Sequence, residues 1–220
     1  MILSRGRKYI FLHAPKTGGT ALALALEARA MAEDVMAGDT PKARKRRRKL
    51  ASVKSVGRLW KHSKLADLEG LITREEAVAF FVFTLVRNPW DRLVSYYHWL
   101  RVQRFDHPAV GLAQRLDFAA FLAAKPIQAG FRAESYTDFV RDGAGRDCGD
   151  LFIRLEHLAE DIAPLEAHLG FRLGPIARVN ASDRRADYRG YYTDKTAAIV
   201  ADICAEDIAR FGYGFDRQKS

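Results

Sequence analysis

Residues 8–26, KYIFLHAPKTGGTALALAL, decide the fold. Residues 8–13 read as a short buried strand that Ala14-Pro15 closes. From Thr20 the alanine- and leucine-rich pattern is made of helix formers. Between strand and helix lie Lys16, Thr17, Gly18, Gly19 and Thr20. That order makes an anion site: a glycine turn exposes backbone N–H groups, and the helix end adds about half a positive charge. Lys16 supplies one full charge, Thr17 and Thr20 supply hydroxyls, and the two glycines let the backbone come close to a ligand. The common ATP/GTP loop, G-x-x-x-x-G-K-[ST], has its lysine behind the glycines and its last hydroxyl on Mg²⁺. Here the lysine comes first, and no acidic metal partner is evident at a strand end. The loop therefore reads as a grip for a 5′-phosphate that does not depend on a metal.

The next informative stretch is AFFVFTLV, residues 79–86, a continuous apolar run rich in β formers. It suits a central strand of a parallel sheet, covered on both faces. Asn88-Pro89 ends it, and residues 90–102 predict an amphipathic helix. Arg87 falls at the strand's carboxyl end and Ser95 about one turn into the helix. Ligands of open α/β sheets collect outside the carboxyl ends of strands, where an arginine fork and a hydroxyl can close on a second phosphate. An ion pair with Asp91 is the competing use of Arg87.

Further elements follow from punctuation and period. Residues 38–41 break the first helix, and Thr73 with Glu76 forms a capping box for a short helix. Helices are expected over 117–124, over 156–169 ending at Gly170, and over 193–211 ending at Gly212. Residues 136–140 and 151–155 read as extended segments around a turn. Alternating strands and helices give an α/β class with a central parallel sheet. A length of 220 residues suits one domain over 1–220, with an insert at about 38–66.

That insert carries the charge. The chain's net charge is +9, and residues 42–64 hold eleven Lys/Arg and no acid, so the remainder is 9 − 11 = −2. A cationic insert on a slightly acidic domain favours an anionic partner: a sulfated or carboxylated glycan, peripheral contact with a membrane surface, or nucleic acid. Nucleic acid is the least suited, since Trp60 alone offers an aromatic face for stacking. A plain solvated face is the bland alternative. No apolar run is long enough to cross a bilayer, and the N-terminus lacks an apolar signal region, so a cytoplasmic location is expected. Cys148 and Cys204, far apart in sequence, read as reduced structural thiols.

Taken together, PKTGGT after a strand and VRNPWDRLVSYY after the central strand resemble the two nucleotide motifs of sulfotransferases that use 3′-phosphoadenosine 5′-phosphosulfate (PAPS). In detail the chain resembles carbohydrate-type sulfotransferase family 2, with its heparan and chondroitin enzymes and bacterial relatives. LFIRLEHLAEDIAPLEAHLGF resembles the family's later strand and helix, and VNASDRRADYRGYY with the final FGYGFD its closing region, so the likeness runs from about residue 8 to 216. The resemblance implies a P-loop-containing three-layer α/β/α fold and sulfuryl transfer from PAPS, without a metal, to a hydroxyl of a carbohydrate or glycolipid acceptor. It assigns Lys16, Thr17, Gly18, Gly19 and Thr20 to the 5′-phosphosulfate and Arg87 and Ser95 to the 3′-phosphate. Asn180, Ser182 and Arg184 fall where the family brings a late loop over the nucleotide.

Such a reaction needs stabilised charge on the leaving side, a role for Lys16, and a base for the acceptor hydroxyl. Among six histidines only His62, in LWKHSKLADLEG, lies between the loop and the central strand, where heparan-type enzymes place a catalytic histidine. His13 beside the loop is a rival, and Glu134 a carboxylate alternative. Two other readings compete. One is a P-loop kinase or NTPase, which the lysine-first order disfavours. The other is a binding protein for nucleic acid or an anionic surface with a vestigial nucleotide site, which the intact Lys16, Arg87 and Ser95 disfavour.

Overall fold

Of the run at 79–86, residues 81–86 become an inner strand of a sheet, while Ala79 ends the preceding helix and Phe80 caps it. In the computed structural model, which describes residues 1–176, 179 and 183–216 (Lys49 by its backbone only), the strands are β1 (Ile2–Ser4), β2 (Tyr9–Leu12), β3 (Val35–Met36), β4 (Phe81–Val86) and β5 (Leu151–Arg154). They form one five-stranded sheet in the order β3-β1-β2-β4-β5. β2, β4 and β5 run parallel, with Phe11 opposite Phe83 and Thr84 opposite Phe152. β1 pairs antiparallel with β2 and β3, so the sheet is mostly rather than wholly parallel. These two short strands were not expected; β1 forms because the first three side chains are buried against the sheet's own core.

The helices are α1 (Gly19–Ala28), α2 (Pro41–Ala51), α3 (Arg74–Ala79), α4 (Pro89–Arg101), α5 (Pro108–Arg115) and α6 (Phe118–Ala123). They continue with α7 (Lys125–Arg132), α8 (Leu158–Asp161), α9 (Ala163–Leu169), α10 (Asp194–Ile203) and α11 (Ala205–Phe211). The chain separates into two compact units, Met1–Val86 with Tyr136–Val179, and Arg87–Ser135 with Asn180–Ser220.

The first unit holds the whole sheet. Leu22 and Leu26 of α1, Ala43 of α2 and Leu165 of α9 share a core with Tyr9, Phe11, Phe83, Leu85 and Ile153. Fully burying each large apolar side chain contributes about 1.5–3 kcal/mol, which is what fixes the strand register. α3 starts as its capping box predicts: Thr73 Oγ1 accepts from Glu76 N at 3.1 Å, and Glu76 Oε2 accepts from Thr73 N at 3.0 Å. The second unit is helical. Trp90, Leu93, Val94 and Tyr97 of α4 bury against Phe118, Phe121 and Leu122 of α6 and Val200 and Ile203 of α10.

Four expectations change. The first helix, expected to run until residues 38–41, already ends at Ala28, and β3 lies between. Residues 136–140 are not extended; Thr137–Phe139 forms a 3-10 turn. The helix over 156–169 is divided into α8 and α9, because Pro164 lacks the N–H and sterically opposes a continuous helix. The helix over 193–211 bends at Cys204, whose φ of −117° and ψ of 24° lie off the helical values. Gly170 and Gly212 do end their helices in the left-handed region, at φ 73° and 65°.

Candidate functional site

In the first unit, residues 13–18 join the carboxyl end of β2 to α1. Two of these six residues are left-handed: Lys16 at φ 65° and Gly18 at φ 84°. Glycine adopts that region freely; lysine does so only when its surroundings hold it there, and such held residues cluster at ligand sites. Alternation of left- and right-handed residues gathers successive N–H groups into an anion-binding hollow. Thr17, fully buried, closes the turn by donating its hydroxyl to Ala14 O at 2.8 Å. α1 begins at Gly19 with no side-chain cap and no acid in its first turn. An uncapped helix start beside a lysine is what a phosphate or phosphosulfate group requires, so these residues fit that ligand.

Gly19 has a second reason to be glycine: a β-carbon there would run into the imidazole of His13. His13 is thus the wall beneath the loop. It is buried, its ring is 6.0 Å from that of Phe11, and its pKa is pushed well below 6.5, by burial first and then by His62 and nearby cations.

His62 lies against it, with ring centroids 4.8 Å apart. The His62 Nδ1 is 2.7 Å from the carbonyl oxygen of His13. A carbonyl only accepts, so Nδ1 carries the hydrogen, and in the neutral ring Nε2 keeps its lone pair. The orientation is set within an irregular segment. Ser63, fully buried, accepts from Trp60 N at 2.8 Å and donates toward the Arg58 and Trp60 carbonyls, both at 3.0 Å. Asp67 Oδ2 accepts from Lys64 N at 2.8 Å, and Trp60 sets its ring 5.0 Å from His62 in an edge-on contact.

In the second unit, Asn88 caps α4 by accepting from the N–H groups of Trp90 and Asp91, at 3.1 and 3.4 Å. Its amide donates to Gly214 O at 2.9 Å, so the FGYGFD ending braces the start of the helix. Arg87 donates through Nε and Nη2 to Asp91 Oδ2, at 2.9 and 2.6 Å. The same carboxylate accepts from Arg184 Nη2 at Oδ1, 2.7 Å away. The ion pair considered as the competing use of Arg87 is therefore present, but it is half of a fork: one aspartate holds two guanidiniums with side chains 11% and 7% exposed. Two guanidiniums sharing one carboxylate at a part-buried place suit a phosphate as a further partner. Ser95 is buried one turn beyond Asp91, near two turns into α4 rather than one. Asp91 is the organising residue that sequence reasoning treated only as a competitor. Its spacing of four from Arg87 was a visible signal; its bond to Arg184, 93 residues away, was not. Asn180 and Ser182 lie outside the described residues.

The basic stretch sorts into fixed and outward-facing cations. Lys42 Nζ donates to Glu27 O at 2.5 Å, Arg46 Nη1 to Asp34 O at 3.1 Å, and Lys61 Nζ to Asp39 Oδ2 at 2.9 Å. Arg44, Lys45, Arg47 and Arg48 are exposed. No group of three or more His, Cys, Asp or Glu placed to hold a metal occurs among the described residues.

A family model described as the sulfotransferase family matches residues 1–141. The chain belongs to the sulfotransferase family, the one its motifs resemble, and it is an enzyme of that class. No curated protein sequence matches it. Among solved structures it is similar to mouse sulfotransferase SULT7A1 complexed with PAP, at 21% identity and a TM-score of 0.55, over 92% of this chain and 84% of that one. This likeness bears on fold, and it agrees with the expected P-loop-type α/β class with a central, mostly parallel sheet. Family membership sets aside the kinase and NTPase reading. No helix among the described residues is long and apolar enough to cross a membrane.

Proposed function

We propose that this sulfotransferase, acting as a single domain, transfers a sulfuryl group in line from PAPS to a hydroxyl of a carbohydrate or glycolipid acceptor, with no metal in the step. The observation that carries the reading is the chain of contacts in the first unit: the anion loop on the His13 ring, and His62 held by the His13 carbonyl. Its support for His62 as the base is that Nδ1 faces a carbonyl, which leaves Nε2 as the acceptor in the neutral ring. PAPS, when bound, supplies the sulfuryl group and an adenosine 3′,5′-bisphosphate leaving group.

The protein's own residues divide the remaining work. Lys16 and the N–H groups at the start of α1, with Thr17, Gly18, Gly19 and Thr20, hold the 5′ end and stabilise negative charge as it grows there. Arg87 and Ser95 hold the 3′-phosphate, with Arg184 beside Arg87 on the shared Asp91, while Asn180 and Ser182 belong to a late loop over the nucleotide. Nε2 of His62 takes the proton of the acceptor hydroxyl as the bond to sulfur forms. By analogy with phosphoryl transfer, positioning and charge stabilisation supply most of the acceleration. Cytoplasmic action belongs to the same reading; the free thiols of Cys148 and Cys204 suit a reducing compartment.

The direct test is incubation with labelled PAPS and a panel of glycans and glycolipids, read by mass. A gain of one SO₃ on an acceptor that depends on PAPS is the expected result. Mg²⁺-dependent consumption of ATP with no sulfated product would count against it.

A further inference from the structure

The first unit contains a pocket of about 520 Å³ that the reading above does not use. Its floor is Ala37–Asp39, one wall is the Arg47 and Leu50 face of α2, and the other is the irregular segment 53–61 with Arg58 and Trp60. The volume falls in the range of pockets that take small ligands. Its charge is one-sided: Arg47, Arg58 and Lys61 line it against the single carboxylate of Asp39, leaving a net +2. Lys61 and Asp39 pair with each other, so Arg47 and Arg58, both exposed, are the lining cations outside that pair. Leu50 and the 44% exposed Trp60 give it apolar faces, the surface on which a sugar ring lies.

The pocket lies next to the proposed base, which touches its wall without being part of the lining. Trp60 and Lys61 are in its wall, the Trp60 ring stands 5.0 Å from His62, and His62 rests on His13, the wall of the anion loop. We infer that this pocket, between α2 and residues 53–61, is the acceptor site, and that it selects a sugar unit carrying a carboxylate or sulfate, with Arg47 and Arg58 as the specificity residues and Trp60 as the stacking platform. The inference rests on the sulfotransferase reading and adds to it where the acceptor sits and what charge it bears. It also gives part of the basic insert a use that a solvated face would not have: Arg47, Arg58 and Lys61 line one concavity while Lys42 and Arg46 tie α2 down.

The test uses uronate disaccharides from pectin, alginate and chondroitin, each beside its carboxyl-reduced neutral form, titrated by calorimetry into the full-length protein with adenosine 3′,5′-bisphosphate present. At least one uronate should bind roughly tenfold or more tightly than its neutral form, the scale of a charge-assisted hydrogen bond. Arg47→Gln with Arg58→Gln should erase that preference, and Trp60→Ala should weaken both forms. None of these changes should alter bisphosphate affinity, measured separately in each variant as the check on folding. Equal binding of acid and neutral forms, binding of neither, or a preference that survives both arginine substitutions overturns the inference. So does binding to phosphatidylglycerol vesicles that both arginines support while no disaccharide binds. Absence of bisphosphate binding in the unsubstituted protein would instead overturn the nucleotide reading, so the two failures are distinct.

Discussion

Two regions of this molecule are shaped to hold phosphate, and they are built on opposite plans. The loop between β2 and α1 relies on backbone: left-handed Lys16 and Gly18, an uncapped helix start, and a single side-chain cation. The start of α4 relies on side chains: two part-buried guanidiniums forked on the carboxylate of Asp91. A backbone hollow is rigid before any ligand arrives and costs little to organise at the moment of reaction, which suits stabilising charge that appears only in the transition state. A pair of arginines held by an acid gives directional, bidentate recognition of charge that is always present, which suits specificity. The account therefore gives turnover to the first region and nucleotide choice to the second.

The largest effect should come from His62, which is packed on the His13 wall of the first region. His62→Ala should keep bisphosphate affinity and lower turnover by about 10²- to 10⁴-fold, the range for positioned proton transfer. Because only the unprotonated Nε2 accepts, wild-type kcat should fall on acidification and the variant should lose that limb. His13→Ala is the informative control, since the acceptor for His62 is the backbone carbonyl and survives the change. A rate that collapses in His13→Ala but not in His62→Ala would move the base to His13. Lys16→Ala should follow, with turnover reduced about 10²- to 10³-fold, like loss of one oxyanion donor, and bisphosphate binding changed much less. Equal losses in both would make the loop a plain binding element and dissolve the contrast.

The second region should answer in affinity. Arg87→Ala should weaken the bisphosphate by about 1.5–3 kcal/mol while leaving AMP nearly untouched. Asp91→Asn sharpens the point. If the fork serves only to position the arginines, affinity should fall although the site has become more positive; a rise would mean that Asp91 merely competes with the ligand.

The smallest effect is on stability. His13 is held neutral in the folded state, with its pKa well below 6.5. Below pH 6.5 the unfolded chain binds a proton there that the folded chain does not, so stability falls as pH drops. The slope approaches about 1.4 kcal/mol per pH unit. His13→Gln should flatten that part of the curve in urea titrations between pH 7.5 and 5.5. An unchanged slope would mean the imidazole is protonated in the fold.

Much of this was legible because the signals were local. A β-rich run, a double glycine and an alanine-leucine helix announce strand, turn and helix without tertiary help, and the Thr73 capping box and the two terminal glycines did the same. β1 and β3, of three and two residues, were not legible, because so short a strand exists only through its partners. Pro164 announced a break that the surrounding helix formers obscured, while nothing in the residue type of Cys204 marks the bend there. At the site, Lys16 could be read as a charge but not as a left-handed residue, since lysine has no preference for that region. His62 was reached through resemblance; its placement comes from Ser63, Asp67 and the His13 carbonyl, in a segment without periodicity. Arg184 likewise could be placed by resemblance, but the carboxylate it shares with Arg87 emerges only in three dimensions.

The most direct test of the central claim is calorimetry of the unsubstituted protein with adenosine 3′,5′-bisphosphate and with AMP, both without added metal. The account predicts that the bisphosphate binds at least about tenfold more tightly, because the 3′-phosphate alone engages the arginine fork. Equal affinity for the two nucleotides would contradict it.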